Sequence, residues 1–291
     1  MQALVPNTLP LLDALNLLFP ASSKNTLRSW IREGRVYVNE EPCTHPASLV
    51  VKNQRITIGQ RKKTIRRDLP ILYEDEDFVV IDKPSGLLSV AAAFEKEETV
   101  HALLKSHYRK RHLYVVHRLD QDASGALLFA FNETIYERLK ALFAAHAIER
   151  TYIAIVEGPF PSTSGTWESY LREDNSYKVH AASSATQGQR AVTHYRLLAS
   201  DKRYSWLELK LETGRKNQIR VHCESAGYSI VGDKKYGART NPLKRLCLHA
   251  HLLGFQHPFT KKPLTFTSPI PETFHRLRPQ ATSLHLSTLL D

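Results

Sequence analysis

Residues 114–131 set one charged loop between two apolar runs, a pattern best satisfied by two strands joined at a point of display. Val115 and Val116 on one side and Leu127, Leu128 and Phe129 on the other are apolar and β-prone. The residues between them are polar and close on Ser124-Gly125, as a tight turn requires. Asp120 is therefore expected at a strand end, presented to something outside the loop. Taken alone, Arg118 and Asp120 also read as a local ion pair that closes the turn.

The order His117-Arg118-Leu119-Asp120, followed by Ala123-Ser124-Gly125 and an apolar run, resembles the catalytic loop of RluA-type pseudouridine synthases, usually His-Arg-Leu-Asp-x-x-Thr-Ser-Gly. Ala123 stands where threonine is usual, which removes a hydroxyl and leaves the carboxylate. Three further segments extend the resemblance over nearly the whole chain after residue 70. Asp82-Lys83-Pro84-Ser85-Gly86 follows an apolar strand, with Pro84 and Gly86 forcing a turn. Glu149-Arg150-Thr151-Tyr152 opens an alternating run similar to the family strand that presents an active-site tyrosine. Residues 211–222 and 232–237 resemble the third motif, with Asn217 where histidine is usual and Gln218-Ile219-Arg220 intact. The resemblance implies Asp120 as nucleophile, Tyr152 as proton shuttle and Arg220 as the electrostatic partner of Asp120. It also assigns His117, Arg118, Ser124, Gly125 and Gln218 to substrate binding, with Arg118 filling the gap left by a flipped-out base.

The N-terminal end carries its own signal. Residues 11–19 read as a short helix entered through Pro10, and Ser22 or Ser23 caps a second helix running to residue 33, stopped by Gly34. Lys24, Arg28 and Arg32 recur on one face of that helix, over an apolar stripe of Leu27, Trp30 and Ile31. Strands follow at residues 35–39 and 55–58. This arrangement resembles the S4 RNA-binding domain, with Glu40 where glycine is usual, and it implies RNA contacts by Lys24, Arg28, Arg32 and Arg35. The organisation expected is an S4-like domain over 1–62 with its core at about 10–59, a basic linker over 63–69 and a catalytic domain over 70–291.

Charge agrees with a polyanionic partner. Residues 1–67 hold eleven Lys or Arg against four Asp or Glu, a net +7, leaving +4 of the total +11 for the rest of the chain. Cys43, Cys223 and Cys247 are odd in number and show no paired spacing, so neither a disulfide framework nor a zinc site is suggested. His249, His251 and His257 lack metal-ligand spacing and a companion carboxylate, so hydrogen-bonded histidines are expected there. No apolar run approaches the roughly 18 residues that span a bilayer, and a cytoplasmic location without a membrane is expected. No glycine-rich phosphate loop supports a nucleotide cofactor.

After residue 70, strands at 71–73, 78–82, 151–157, 193–198 and 206–211 and helices near 99–106 and 139–143 predict an α+β domain with a mixed, mostly antiparallel sheet, preceded by the small α/β S4-like domain. The function implied is isomerisation of uridine in structured RNA, most simply large-subunit ribosomal RNA, by a monomer that needs neither metal nor organic cofactor. Transfer RNA as substrate, or a catalytically silent RNA-binding or ribosome-assembly factor, stay open as alternatives. A hydrolase using Asp120 with His117 lacks a full set of nucleophile, base and orienting group.

Overall fold

The structure, a computed structural model, describes residues 2–32, 34–59, 69–91, 98–182 and 184–279. Two units, Met1–Lys63 and Thr64–Asp291, make up the chain. Apart from Leu69, the expected basic linker lies outside the described residues.

In the first unit β1 (Gln2–Leu4), β2 (Leu9–Pro10), α1 (Leu11–Leu18), α2 (Lys24–Arg32), β3 (Val36–Val38), β4 (Glu41–Pro42), β5 (Leu49–Val50) and β6 (Arg55–Ile58) follow in order. Strands β1, β6, β3 and β4 form one sheet and β2 pairs with β5. The Ser23 hydroxyl accepts the Thr26 N–H at 3.2 Å and starts α2. At the other end Gly34 adopts φ +64, and the N–H groups of Gly34 and Arg35 return to the carbonyls of Ile31 and Trp30 at 3.1 and 2.9 Å. Leu27, Trp30 and Ile31 are buried with Leu11, Leu15, Val36 and Ile56. The β3–β4 turn puts both Asn39 (φ 50) and Glu40 (φ 73) in the left-handed region, which a two-residue hairpin demands and a glycine would meet without strain.

Lys24 and Arg28 are exposed on α2, whereas the side chain of Arg32 lies outside the described residues. Arg35 faces inward in part. Its Nε donates to the Gly59 carbonyl at 3.1 Å and its guanidinium stands 5.5 Å from the Trp30 ring, so packing occupies much of it.

The second unit runs β7 (Ile71–Glu74), β8 (Phe78–Lys83), α3 (Val100–His107), β9 (Tyr114–Val115), β10 (Ser124–Ala130), α4 (Glu133–Ala144), β11 (Glu149–Glu157), β12 (Ser164–Glu173), β13 (Val179–Ala182), β14 (Gln189–Ser200), β15 (Tyr204–Leu211), α5 (Gln218–Ser225), β16 (Leu248–Gln256) and β17 (Pro263–Thr267). Its sheet has the order β13-β12-β14-β15-β11-β16-β10-β8-β7, with β17 beside β16 and β9 beside β10. The β10–β16 pair is parallel and the other ladders are antiparallel, so the fold is α+β on a mixed, mostly antiparallel sheet.

Alternation along β8 and β10 feeds two cores at once. Val79, Ile81, Leu127 and Phe129 pack with Val100 and Leu104 of α3. Phe78, Val80, Ala126 and Leu128 pack with Ile135 and Leu139 of α4. A strand covered on both faces has no solvent side, which is why every residue of β10 is buried.

Gly125 is where β10 meets β16. With φ +116 it allows an approach at which an added Cβ would stand 2.2 Å from the Ala250 carbonyl oxygen, part of a backbone that cannot yield without breaking the ladder. Gly125→Ala is expected to cost at least about 3 kcal/mol, lowering Tm by roughly 6 °C or more in a thermal melt. A variant melting with the wild type would contradict this account of the sheet's centre.

Candidate active site

The loop between β9 and β10 is clamped on both sides of Asp120. Lys83, fully buried, donates to the carbonyls of Pro84 and Leu87 at 2.9 and 2.6 Å and to that of Gln121 at 2.8 Å. Burial pulls its pKa down to about 7, while three carbonyls aimed at three N–H groups hold the proton. Ser89 Oγ donates to the Leu119 carbonyl at 2.8 Å and accepts the Leu119 N–H at 3.1 Å. With Leu119 and Gln121 both fixed, the backbone of Asp120 has little freedom. The residue lies in the turn ahead of β10 and not on the strand itself.

Asp120 belongs to a cleft of about 490 Å³ that Tyr152, Arg220, Arg118, His117 and Gln218 also line. Its side chain is 26% exposed, and burial raises its pKa against the opposing pull of Arg220 and Arg118.

Arg220 reaches this cleft from α5, a helix whose sequence is polar but which is buried nearly all round. Each polar side chain on it must therefore find partners inside the protein. Gln218 Oε1 accepts from Thr213 Oγ1 and the Arg215 N–H at 2.8 and 3.0 Å, and its Nε2 donates to the Val192 carbonyl and Thr193 Oγ1 at 2.9 and 3.0 Å. His222 bridges Ser169 and Thr193. Arg220 forks onto Asp233, with Nε and Nη2 both at 2.7 Å, and only Nη1 faces Asp120, at 3.5 Å. The strong partner of Arg220 is thus Asp233, and its contact with Asp120 lies at the outer limit of a hydrogen bond.

Tyr152 enters from β11 at a bulge, where the register against β16 shifts between Thr151 and Tyr152. Its hydroxyl has no hydrogen-bond partner among the described residues, and burial pushes its pKa up to about 12. The phenol is therefore protonated at neutral pH. Arg150, two residues earlier on the strand, shares the cleft. Its Nη2 donates to the carbonyls of Leu211 and Glu212 at 3.3 and 3.0 Å, its Nε is buried without a partner, and no carboxylate among the described residues neutralises it.

Four of the expected substrate contacts have partners within the scaffold. Ser124 and Gly125 do not line the cleft. The Ser124 hydroxyl is buried at 2.9 Å from His249 Nδ1 and accepts from Arg245 Nη2 at 2.6 Å, while Gly125 serves the strand crossing. Gln218 lines the cleft, yet its four hydrogen bonds tie it to the scaffold. His117 is likewise committed: its Nε2 accepts the Leu128 N–H at 3.1 Å, and burial together with Arg150 lowers its pKa to about 3. A neutral ring spent as an acceptor cannot activate Asp120, which removes the hydrolase reading. Arg118 is exposed at the cleft, free to meet a ligand.

Sequence reading missed Asp233, and it missed the cationic wall of Lys140, Arg150 and Arg215. Arg150 carried a usable signal, since residues two apart on a strand share a face. His249 and His251 both turn a ring nitrogen to the Ser268 carbonyl, at 3.2 and 2.8 Å, as hydrogen-bonded core histidines do. Among the described residues no helix is long and apolar enough to cross a membrane.

A family model described as RNA pseudouridylate synthase matches residues 77–225, and an S4 domain model matches residues 9–56. An uncharacterized RNA pseudouridine synthase of Bacillus subtilis is 33% identical over 271 residues, 88% of each chain. The ribosomal large subunit pseudouridine synthase D of Vibrio cholerae is 33% identical over 89% of this chain and 87% of its own. That of Zymomonas mobilis is 36% identical over 91% of each. Among solved structures, human RNA pseudouridylate synthase domain containing 1 aligns with TM-score 0.60 at 23% identity, over 73% of this chain and 87% of that one, which shows the same fold. Since the family match alone takes in more than half of the chain, and relatives above 30% identity extend along most of it, this chain belongs to the RNA pseudouridylate synthase family and carries an S4 domain ahead of the synthase domain.

Proposed function

We propose that this chain isomerises uridine to pseudouridine in large-subunit ribosomal RNA, with Asp120, Tyr152 and Arg220 as the reacting set. The observation that carries the proposal is a carboxylate clamped through both neighbouring residues and opening into a cleft whose other charged lining groups are cations. The reaction breaks the bond from uracil N1 to C1′ and forms one from C5 to C1′. C5 gives up its proton and N1 regains one, so no redox partner is required.

Ionised Asp120 attacks C1′ or stabilises positive charge developing there. Burial makes that ionisation harder and Arg220 eases it, so turnover falls as pH drops through the raised pKa of Asp120. Tyr152, protonated in the resting site, stacks on the base and relays a proton at C5, with Arg150 favouring the ionised phenol. Exposed Arg118 occupies the space vacated by the flipped nucleotide, and Lys140, Arg150 and Arg215 meet phosphates. Lys24 and Arg28 supply RNA affinity from the S4 domain. The ribosomal assignment rests on relatives named as ribosomal large subunit synthases. Every residue of the set comes from one chain, so a monomer suffices, and free Cys43, Cys223 and Cys247 suit a reducing cytoplasm.

Pseudouridine mapping by carbodiimide-based sequencing tests the proposal, using cells that lack the protein and cells rescued with wild type or Asp120→Asn. Discrete sites in large-subunit ribosomal RNA should vanish and return only with wild type. Sites lost from transfer RNA alone would overturn the substrate, and no lost site in either RNA would overturn the activity.

A further inference from the structure

Asn217 caps α5 in a left-handed conformation, φ 53 and ψ 20, with its amide buried between Asp120 and Tyr236. Which end of the amide faces the carboxylate follows from counting protons. The Tyr236 hydroxyl already accepts the Val179 N–H at 3.2 Å. Its own O–H then needs an acceptor, and Asn217 Oδ1 stands 3.0 Å away. That leaves Nδ2 directed at Asp120, 3.1 Å from Oδ1 and 2.9 Å from Oδ2. The reverse orientation would gain only a long 3.4 Å contact from Arg220 Nη1 to the amide oxygen, and it would set that oxygen against an ionised carboxylate, two acceptors with no proton between them.

We propose that Asn217 is a positioning residue for the nucleophile: its amide nitrogen donates to the Asp120 carboxylate from a point within reach of both oxygens, and Tyr236, anchored by the backbone of β13, fixes the polarity of that amide. Among the groups facing Asp120, Arg220 spends its fork on Asp233, so the amide makes the shorter contact with the carboxylate. The other charged or titratable groups around it are Arg118 on its own loop, Lys83 from β8, Tyr152 from β11 and Tyr236. Arg118 and Lys83 favour the anion as Arg220 does, whereas Asp233 opposes it. A neutral donor adds direction without adding charge, which a carboxylate that must strike one face of a sugar requires. The inference deepens the pseudouridine synthase reading and rests on it.

The test is the pH profile of tritium release from large-subunit ribosomal and transfer RNA transcripts carrying uridine tritiated at C5. Asn217→Gly removes the amide and keeps the left-handed backbone relaxed. Tyr236→Phe leaves Asn217 in place and frees its orientation. The anion loses a donor in Asn217→Gly and holds one less firmly in Tyr236→Phe, so the acid limb should move up by about one pH unit in the first and by less in the second, with RNA affinity unchanged. Asn217→His, whose ring N–H can donate, should move the limb back toward wild type. An Asn217→Gly profile superposing on that of an active wild type would overturn the inference and leave the activity standing. A shift in Asn217→Gly without one in Tyr236→Phe would overturn the part given to Tyr236. Wild type releasing no tritium from either RNA would instead refute the reading beneath it.

Discussion

Asp120→Asn should lower turnover by at least roughly four orders of magnitude while RNA affinity and Tm stay at wild-type values or rise slightly. The substitution changes one atom and no volume, so the cleft keeps its shape. The clamps on Leu119 and Gln121 run from Ser89 Oγ and Lys83 Nζ to backbone groups, and neither bonds the Asp120 carboxylate. What disappears is the anion, and with it the attack on C1′ or the stabilisation of positive charge there. Arg220 keeps its two 2.7 Å bonds to Asp233, so its burial stays compensated. The native carboxylate also bears a desolvation cost, visible as its raised pKa, which the neutral amide does not share. Tritium release, filter binding and a thermal melt on the same preparation check all three parts. Near-wild-type release would remove Asp120 from the chemistry, and a collapse in Tm would show that the residue serves the fold instead.

The loop bearing this aspartate could be read in the sequence because its signal is local: two apolar runs, a polar interval and a serine-glycine close. The S4 helices were readable for the same reason, through Ser23, Gly34 and a four-residue period of cations. Strand β16 was not, since His249 and His251 break its apolar pattern and are tolerated inside because Ser268, seventeen or more positions away, and Ser124 meet their ring nitrogens. Helix α5 misleads in the same way. Gln218, Arg220 and His222 look like residues of a solvated helix, and only the tertiary partners Asp233, Thr193 and Ser169 make their burial affordable. Ser124 and Gly125 were expected at the substrate because they close the motif that carries the resemblance, but both are taken up by the parallel crossing with β16. Asp233 could not be assigned at all, because its meeting with Arg220 depends on the path of a loop thirteen residues further on.

That hidden carboxylate carries the second large effect. Asp233→Ala would leave the Arg220 guanidinium buried beside a single oxygen at 3.5 Å, and breaking a buried pair from one side costs about 3–5 kcal/mol. For a unit of this size the expected fall in Tm is at least roughly 6 °C. The acid limb of activity should move in the opposite direction from that of Asn217→Gly. Asp233 raises the pKa of Asp120 by like-charge repulsion, and Arg220 lowers it. With Asp233 gone, the repulsion ends and Arg220 has no other anion to serve, so the nucleophile ionises at lower pH. The double substitution Arg220→Met with Asp233→Leu separates the two roles of the pair. Replacing both partners with apolar groups of similar bulk should recover most of the lost stability, since neither charge is then buried. Turnover should fall well below that of Asp233→Ala, because the cation nearest Asp120 on α5 has gone. A double variant as unstable as Asp233→Ala would assign the loss to the missing shape of Asp233, and one with wild-type turnover would show that Arg220 contributes packing alone.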